Sequence, residues 1–125
     1  MSKKLLPLLI LPLLFGGCTA MFTNLTPKQQ LRNPNNLYPV EVSFHSRQQT
    51  LRWQSIKPTI VVGSESIPMH ATPLMTNRWE GLVPVPSGEG LIHYHYRFDF
   101  ENTSFGSPTP DSAVSPEYTL RVVGN

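Results

Sequence analysis

The chain has one cysteine, Cys18, in 125 residues. No disulfide can form within it, so stability must come from packing. Long apolar runs are missing too. Residues 5–15 carry no charge but include Pro7 and Pro12, and they fall short of the about 20 residues a membrane-spanning helix needs. A charge of one sign is also absent. Ten Lys and Arg face eight Asp and Glu, and Lys3 and Lys4 precede the apolar stretch, which leaves eight of each beyond it. Such a balance lacks the basic footprint of a nucleic-acid binder and the polybasic patch that draws a domain to anionic lipid. No segment repeats apolar residues at helical spacing. There is no Gly-x-Ser-x-Gly, His-Glu-x-x-His, phosphate loop or Gly-x-Gly-x-x-Gly, so neither enzymatic activity nor a cofactor is expected.

What the N-terminus does contain is ordered. Lys3-Lys4 comes first, then the apolar residues 5–15, then Gly16-Gly17-Cys18. A positive start, a short apolar centre and small residues at the end make a secretory leader. The stretch Leu14-Phe15-Gly16-Gly17-Cys18 resembles the lipobox of bacterial lipoproteins, with Phe15 in place of the usual Leu. The resemblance implies cleavage after Gly17, attachment of lipid to the Cys18 thiol and acylation of the new amino group. It also implies a palmitate-bearing envelope protein. Thr19, where an inner-membrane retention signal would carry Asp, implies the outer membrane. Two or more acyl chains hold a protein stably on a membrane, where one does not.

Residues 18–36 are polar, rich in Thr, Asn and Gln. They read as a tether between the lipid and a domain over 37–125, with an edge strand near Phe22 as the one sign of structure. Fully extended, the 18 residues 19–36 would reach about 60 Å.

Beyond Asn36 the period becomes two. Val40, Val42 and Phe44 share one face, against Glu41, Ser43 and His45. Leu51 and Trp53 alternate with Arg52 and Gln54. Thr59-Ile60-Val61-Val62 reads as a strand buried on both faces. Trp79, Val83 and Val85 share a side, and Pro84 places that strand at an edge or bulge. The strongest pattern runs from Ile92 to Glu101. Ile92, Tyr94, Tyr96, Phe98 and Phe100 face one way, and His93, His95, Arg97, Asp99 and Glu101 the other. Residues 102–116, rich in Ser, Thr, Gly and Pro, read as a long loop before a last strand with Tyr118, Leu120 and Val122.

Six or seven short strands with Gly and Pro turns indicate an all-β fold, an antiparallel β-sandwich. The layout resembles immunoglobulin-like modules of about seven strands. Trp79-Glu80-Gly81-Leu82-Val83-Pro84-Val85-Pro86, then Gly88, then Tyr94-His95-Tyr96-Arg97-Phe98, also resembles the early-set sandwiches that bind glucans. That resemblance implies Trp53 and Trp79 as a glycan platform. Equally, an indole in a sandwich of this size is ordinary core material.

His93 and His95 form a His-x-His with Cα atoms ~7 Å apart on one strand face. They are weak metal candidates, because a third ligand would have to come from His45 or His70. Arg97, next in the row, opposes a cation. Asp99 and Glu101 lie side by side along one rib, unlike glycosidase carboxylates that face each other across a sugar. Residues 69–75 carry Met69, Leu74 and Met75 and read either as a partner site or as an edge folded on the core. The expectation is a lipid-anchored, non-enzymatic envelope module with an unidentified protein or glycan partner. It is expected to have no cofactor, no metal and no nucleic acid.

Overall fold

A computed structural model of the protein describes residues 20–47, 49–104 and 106–124. Ten strands follow one another: β1 (Ala20–Asn24), β2 (Gln29–Leu31), β3 (Leu37–Ser46), β4 (Leu51–Val62), β5 (Glu65–Pro68), β6 (His70–Ala71), β7 (Arg78–Pro84), β8 (Leu91–Ser104), β9 (Ser107–Val114) and β10 (Tyr118–Val123). They form two sheets. The first has the order β1-β3-β7-β6; the second runs β2-β10-β8-β4-β5, with β9 also paired to β8. The protein is an all-β sandwich.

Alternation sets which side chains fill the space between the sheets. Tyr38, Val40, Val42 and Phe44 of β3 are buried, and so are Ile92, Tyr94, Tyr96, Phe98 and Phe100 of β8. His93 and Arg97 are exposed and His95 is half-buried, so the parity read from the sequence is the parity of the fold. At Gly81 of β7 the sheets approach closely. A Cβ there would meet Ile60 Cδ1 at 3.0 Å and Met69 Cγ at 3.5 Å, so the missing side chain makes room for Ile60.

Four sequence expectations change. The run Thr59–Val62 is not buried on both faces: Ile60 is fully buried, whereas Thr59, Val61 and Val62 are half-buried, because β4 presents one face to solvent. Its start at Leu51 belongs to the same strand, interrupted by a bulge. Arg52 pairs with Glu101 and Lys57 with Asp99, so residues 53–56 oppose Phe100 alone. The polar stretch before Leu37 is built into both sheets. β1 pairs with β3 from Ala20↔Ser46 to Asn24↔Val42, and β2 lies parallel to β10. The expected loop over residues 102–116 is mostly strand. β8 continues to Ser104, and β9 returns along it from Ser104↔Ser107 to Arg97↔Val114. Ser115 then interrupts the edge before β10 resumes at Tyr118↔Tyr94. Its backbone N–H donates to Tyr96 O at 2.9 Å, and its Oγ accepts from the Tyr96 N–H at 2.8 Å.

One polar network ties the sheets together from inside. Asn24 of β1 receives the Tyr96 hydroxyl proton at its Oδ1 (2.6 Å) and donates from Nδ2 to the Tyr94 hydroxyl (2.9 Å). Thr26 Oγ1 lies 3.3 Å from the Tyr96 hydroxyl and accepts from the Glu41 N–H at 2.8 Å. Burial pushes the Tyr96 phenol well above its ordinary value; the Thr26 hydrogen bond opposes the shift and Tyr94 adds to it.

Candidate functional site

Cys18 and the expected leader lie outside the described residues. What the fold fixes is their continuation: β1 starts at Ala20, so only Thr19 separates the cysteine from the sandwich.

His93 and His95 project from the outer side of β8, opposite Thr119 and Val61 respectively. His45 and His70 sit on β3 and β6 of the other sheet, and so cannot complete their ligand set. Among the described residues no three His, Cys, Asp or Glu come together to hold a metal. The rest of the row is occupied by ion pairs along its own surface. Arg97 Nε lies 3.1 Å from Asp99 Oδ1, and Arg52 reaches Glu101 at 3.5 Å. These pairs are half-exposed and contribute little to stability.

The two tryptophans meet across the edge of the sandwich. Trp79 points inward from β7 and packs edge-on against Phe98, with centroids 5.2 Å apart. Trp53 comes from the β4 bulge. The two indoles are nearly parallel, 7° between planes, with centroids 6.5 Å apart, within the range of offset stacking. Trp53 also contacts Phe44 edge-on at 6.1 Å and keeps 40% of its surface in solvent. The bulge is what places it there, since a regular β4 would hold it in register with β8. The indoles turn toward each other, so the open flank of Trp53 is the surface left for a ligand.

A second site emerges only in three dimensions. On the outer face of the first sheet, Glu41 of β3 pairs directly with Glu80 of β7, and Glu80 pairs with His70 of β6. Like charges directly opposite are unfavourable, and the neighbours offset them. His70 Nε2 is 3.1 Å from Glu80 Oε2, Thr72 Oγ1 donates to Glu80 Oε1 at 3.2 Å, and Arg78 reaches Glu41 at 3.6 Å. This acidic row floors one side of a groove of about 390 Å³, walled by Leu25, Pro27, Pro39 and Leu82. Sequence reasoning missed it because Glu41, His70 and Glu80 lie far apart in the chain. Their adjacency depends on strand order, which no local pattern encodes.

Hydroxyl groups near carboxylates elsewhere serve the backbone. Ser55 Oγ donates to Arg52 O and accepts from the Glu101 N–H, closing the β4 bulge. Comparisons with protein-family models, with curated proteins and with solved structures find no match.

Proposed function

We propose that the chain is a bacterial envelope lipoprotein, anchored through lipid on Cys18. Its sandwich is a non-enzymatic interaction module with the Glu41–Glu80 groove as the partner face. The observation that carries the anchor is the junction: a leader ending in Gly16-Gly17-Cys18 is followed after a single residue by the first strand. The strand order supports an immunoglobulin-like reading. β1-β3-β7-β6 occupies the places of strands A, B, E and D, and β4, β8 and β10 those of C, F and G. A groove with an acidic floor and apolar walls suits a partner segment bearing a basic side chain among apolar ones. By resemblance the location is the outer membrane.

Expression of the full chain in a bacterium with labelled palmitate tests the anchor. The wild type takes up label and enters the detergent phase, whereas Cys18→Ala does neither; a Cys18→Ala chain that still takes up palmitate overturns the reading. Capture from detergent-solubilised envelopes tests the groove. A partner retained by the wild type is lost with Glu80→Lys, and undiminished capture sinks the groove assignment.

The exposed flank of Trp53 favours one other reading, a glycan-binding module of the early-set type. Affinity electrophoresis in gels containing soluble glucans decides it: Trp53-dependent retardation supports the platform, and unchanged mobility removes it.

A further inference from the structure

We propose that the sandwich lies directly on the lipid surface, end-on, rather than hanging from a tether. This inference rests on the lipid anchor at Cys18. From Cys18 to Ala20 the chain can span about 7 Å at most. Ala20 pairs with Ser46, so the anchor enters at the end of the sandwich formed by the β3–β4 turn, the β6–β7 loop and the β8–β9 turn. An acylated cysteine at that distance leaves this end no room to stand off from the headgroups.

The side chains at this end fit such a surface. Leu74, at the tip of the β6–β7 loop, is fully exposed and touches nothing that would shelter it. Its backbone is left-handed, φ 63°, a conformation that a leucine rarely adopts. Asn77 in the same loop is also left-handed, φ 61°, and its carbonyl accepts from the Phe44 N–H at 3.0 Å. The loop is thus pinned to β3 while it holds leucine outward. Beside Leu74, Met75 is 44% exposed; Met21 of β1 and Trp53 of the β4 bulge are also open to solvent. With β3 and β7 between β1 and β6, Leu74 stands ~14 Å to the side of the anchor, at about 4.8 Å per strand spacing. Anchor and leucine therefore give two separated points of contact.

Charge is sorted the same way. The described residues of this end down to the level of Arg52, 20–24, 45–47, 49–52, 71–78, 101–104 and 106–110, contain Arg47, Arg52 and Arg78 against one acid, Glu101. Arg52 pairs with Glu101 directly opposite it, at 3.5 Å, and Arg78 reaches back to Glu41 at 3.6 Å, two residues farther from the tip than its register partner Ser43. Glu65 and Glu89 lie at the opposite end. Apolar tips with an indole and an excess of arginine over carboxylate match the boundary between headgroup and acyl chain of an anionic bilayer.

The test uses the full, lipidated chain. Lipid occupies the Cys18 thiol, so Leu74→Cys offers a single site for an environment-sensitive fluorophore, and Ser87→Cys offers a control in the exposed turn at the far end. Both are reconstituted into vesicles of phosphatidylethanolamine with a minority of phosphatidylglycerol. The label at 74 is expected to shift to the blue, to brighten several-fold and to be quenched by lipids brominated in their acyl chains. The label at 87 is expected to keep its emission in water. Trp53 fluorescence of an unlabelled Trp79→Phe chain, quenched by the same lipids, is the second measurement. A protein that takes up palmitate but reports water at 74 keeps its anchor and overturns the docking. A protein without palmitate overturns the anchor and the docking together. A label at 74 that becomes apolar in native envelopes but not in lipid vesicles assigns this end to a protein partner and overturns the lipid surface.

Discussion

The two halves of the core are built on different principles. Near the Cys18 end it is aromatic hydrocarbon: Phe22, Phe44, Phe98 and Trp79 lie within 4.8 to 6.5 Å of one another, centroid to centroid, wherever they meet. Toward the other end the same strand, β8, turns to tyrosine. Tyr94, Tyr96 and Tyr118 cluster there with centroids 5.7 to 5.8 Å apart, and two of their hydroxyls close on the amide of Asn24. Non-directional contacts reward volume and area. An amide gripping two phenols rewards one alignment of the sheets and penalises slippage. The first half therefore supplies the bulk of the burial, and the second specifies how β1 sits on β8.

The largest expected effect tests the hydrocarbon half. Phe98→Ala should lower the unfolding free energy by ~3–5 kcal/mol in urea denaturation, the range for a large core aromatic. A loss near that of a surface site would show that this half is loosely packed. The tyrosine half should respond less but differently. Asn24→Ala leaves two phenols without their shared partner and should cost about 1–3 kcal/mol. Combined with Tyr94→Phe and Tyr96→Phe, the same change should cost less than the sum of the separate effects, because the orphaned groups are gone. Strict additivity would dissolve the network as a unit.

Alkali gives the third contrast. Tyr96 is neutral in the fold, and its pKa lies above the 10.0 of an unfolded chain. The unfolded state thus loses its proton first, so this contribution to stability is complete below about pH 10 and declines as the pH rises beyond it. The slope approaches ~1.4 kcal/mol per pH unit for this one group. Tyr96→Phe should flatten that decline between pH 10 and 11, roughly the window set by the free phenol, and an unchanged slope would assign the alkaline loss elsewhere. Smallest of all, His95→Ala on the outer side of β8 should stay within about ±0.5 kcal/mol. EDTA should leave the melting temperature where it is. A chelator-induced drop reversed by His93→Ala would give this face a metal.

The same distinction explains how much of the fold was legible in the sequence. β8 could be read residue by residue because one of its faces is wholly in the core and the other is exposed or half-buried, so period two is written in side-chain polarity. β9 could not. Its eight residues are exposed except for a half-buried Ala113, and backbone pairing to β8, on which composition is silent, holds it in place. β1 was legible only as an edge strand near Phe22, and β2 was hidden, for a related reason: their short apolar signal is diluted among Asn, Gln and Thr whose partners lie elsewhere in the chain. For the candidate sites, the outward row on β8 was visible as a pattern and its occupants pair locally. The groove was invisible because Glu41 and Glu80 become neighbours only through strand order. The Trp53–Trp79 contact depends on a bulge that no alternation announces.

An open sheet edge offers unpaired N–H and C=O groups to any other chain that drifts alongside. Lipid-held copies would meet in two dimensions, where encounters between like edges are frequent. Flanking β8 on one side is β9, whose far side is open, with Pro108 and Pro110 at alternate positions. Alternate residues of a strand direct their N–H groups to the same side, and proline is tolerated where that side faces solvent. That edge is thereby stripped of two donors, and a second copy finds no continuous ladder to extend. The prolines that disguise β9 as a loop also blunt this edge against pairing with another chain.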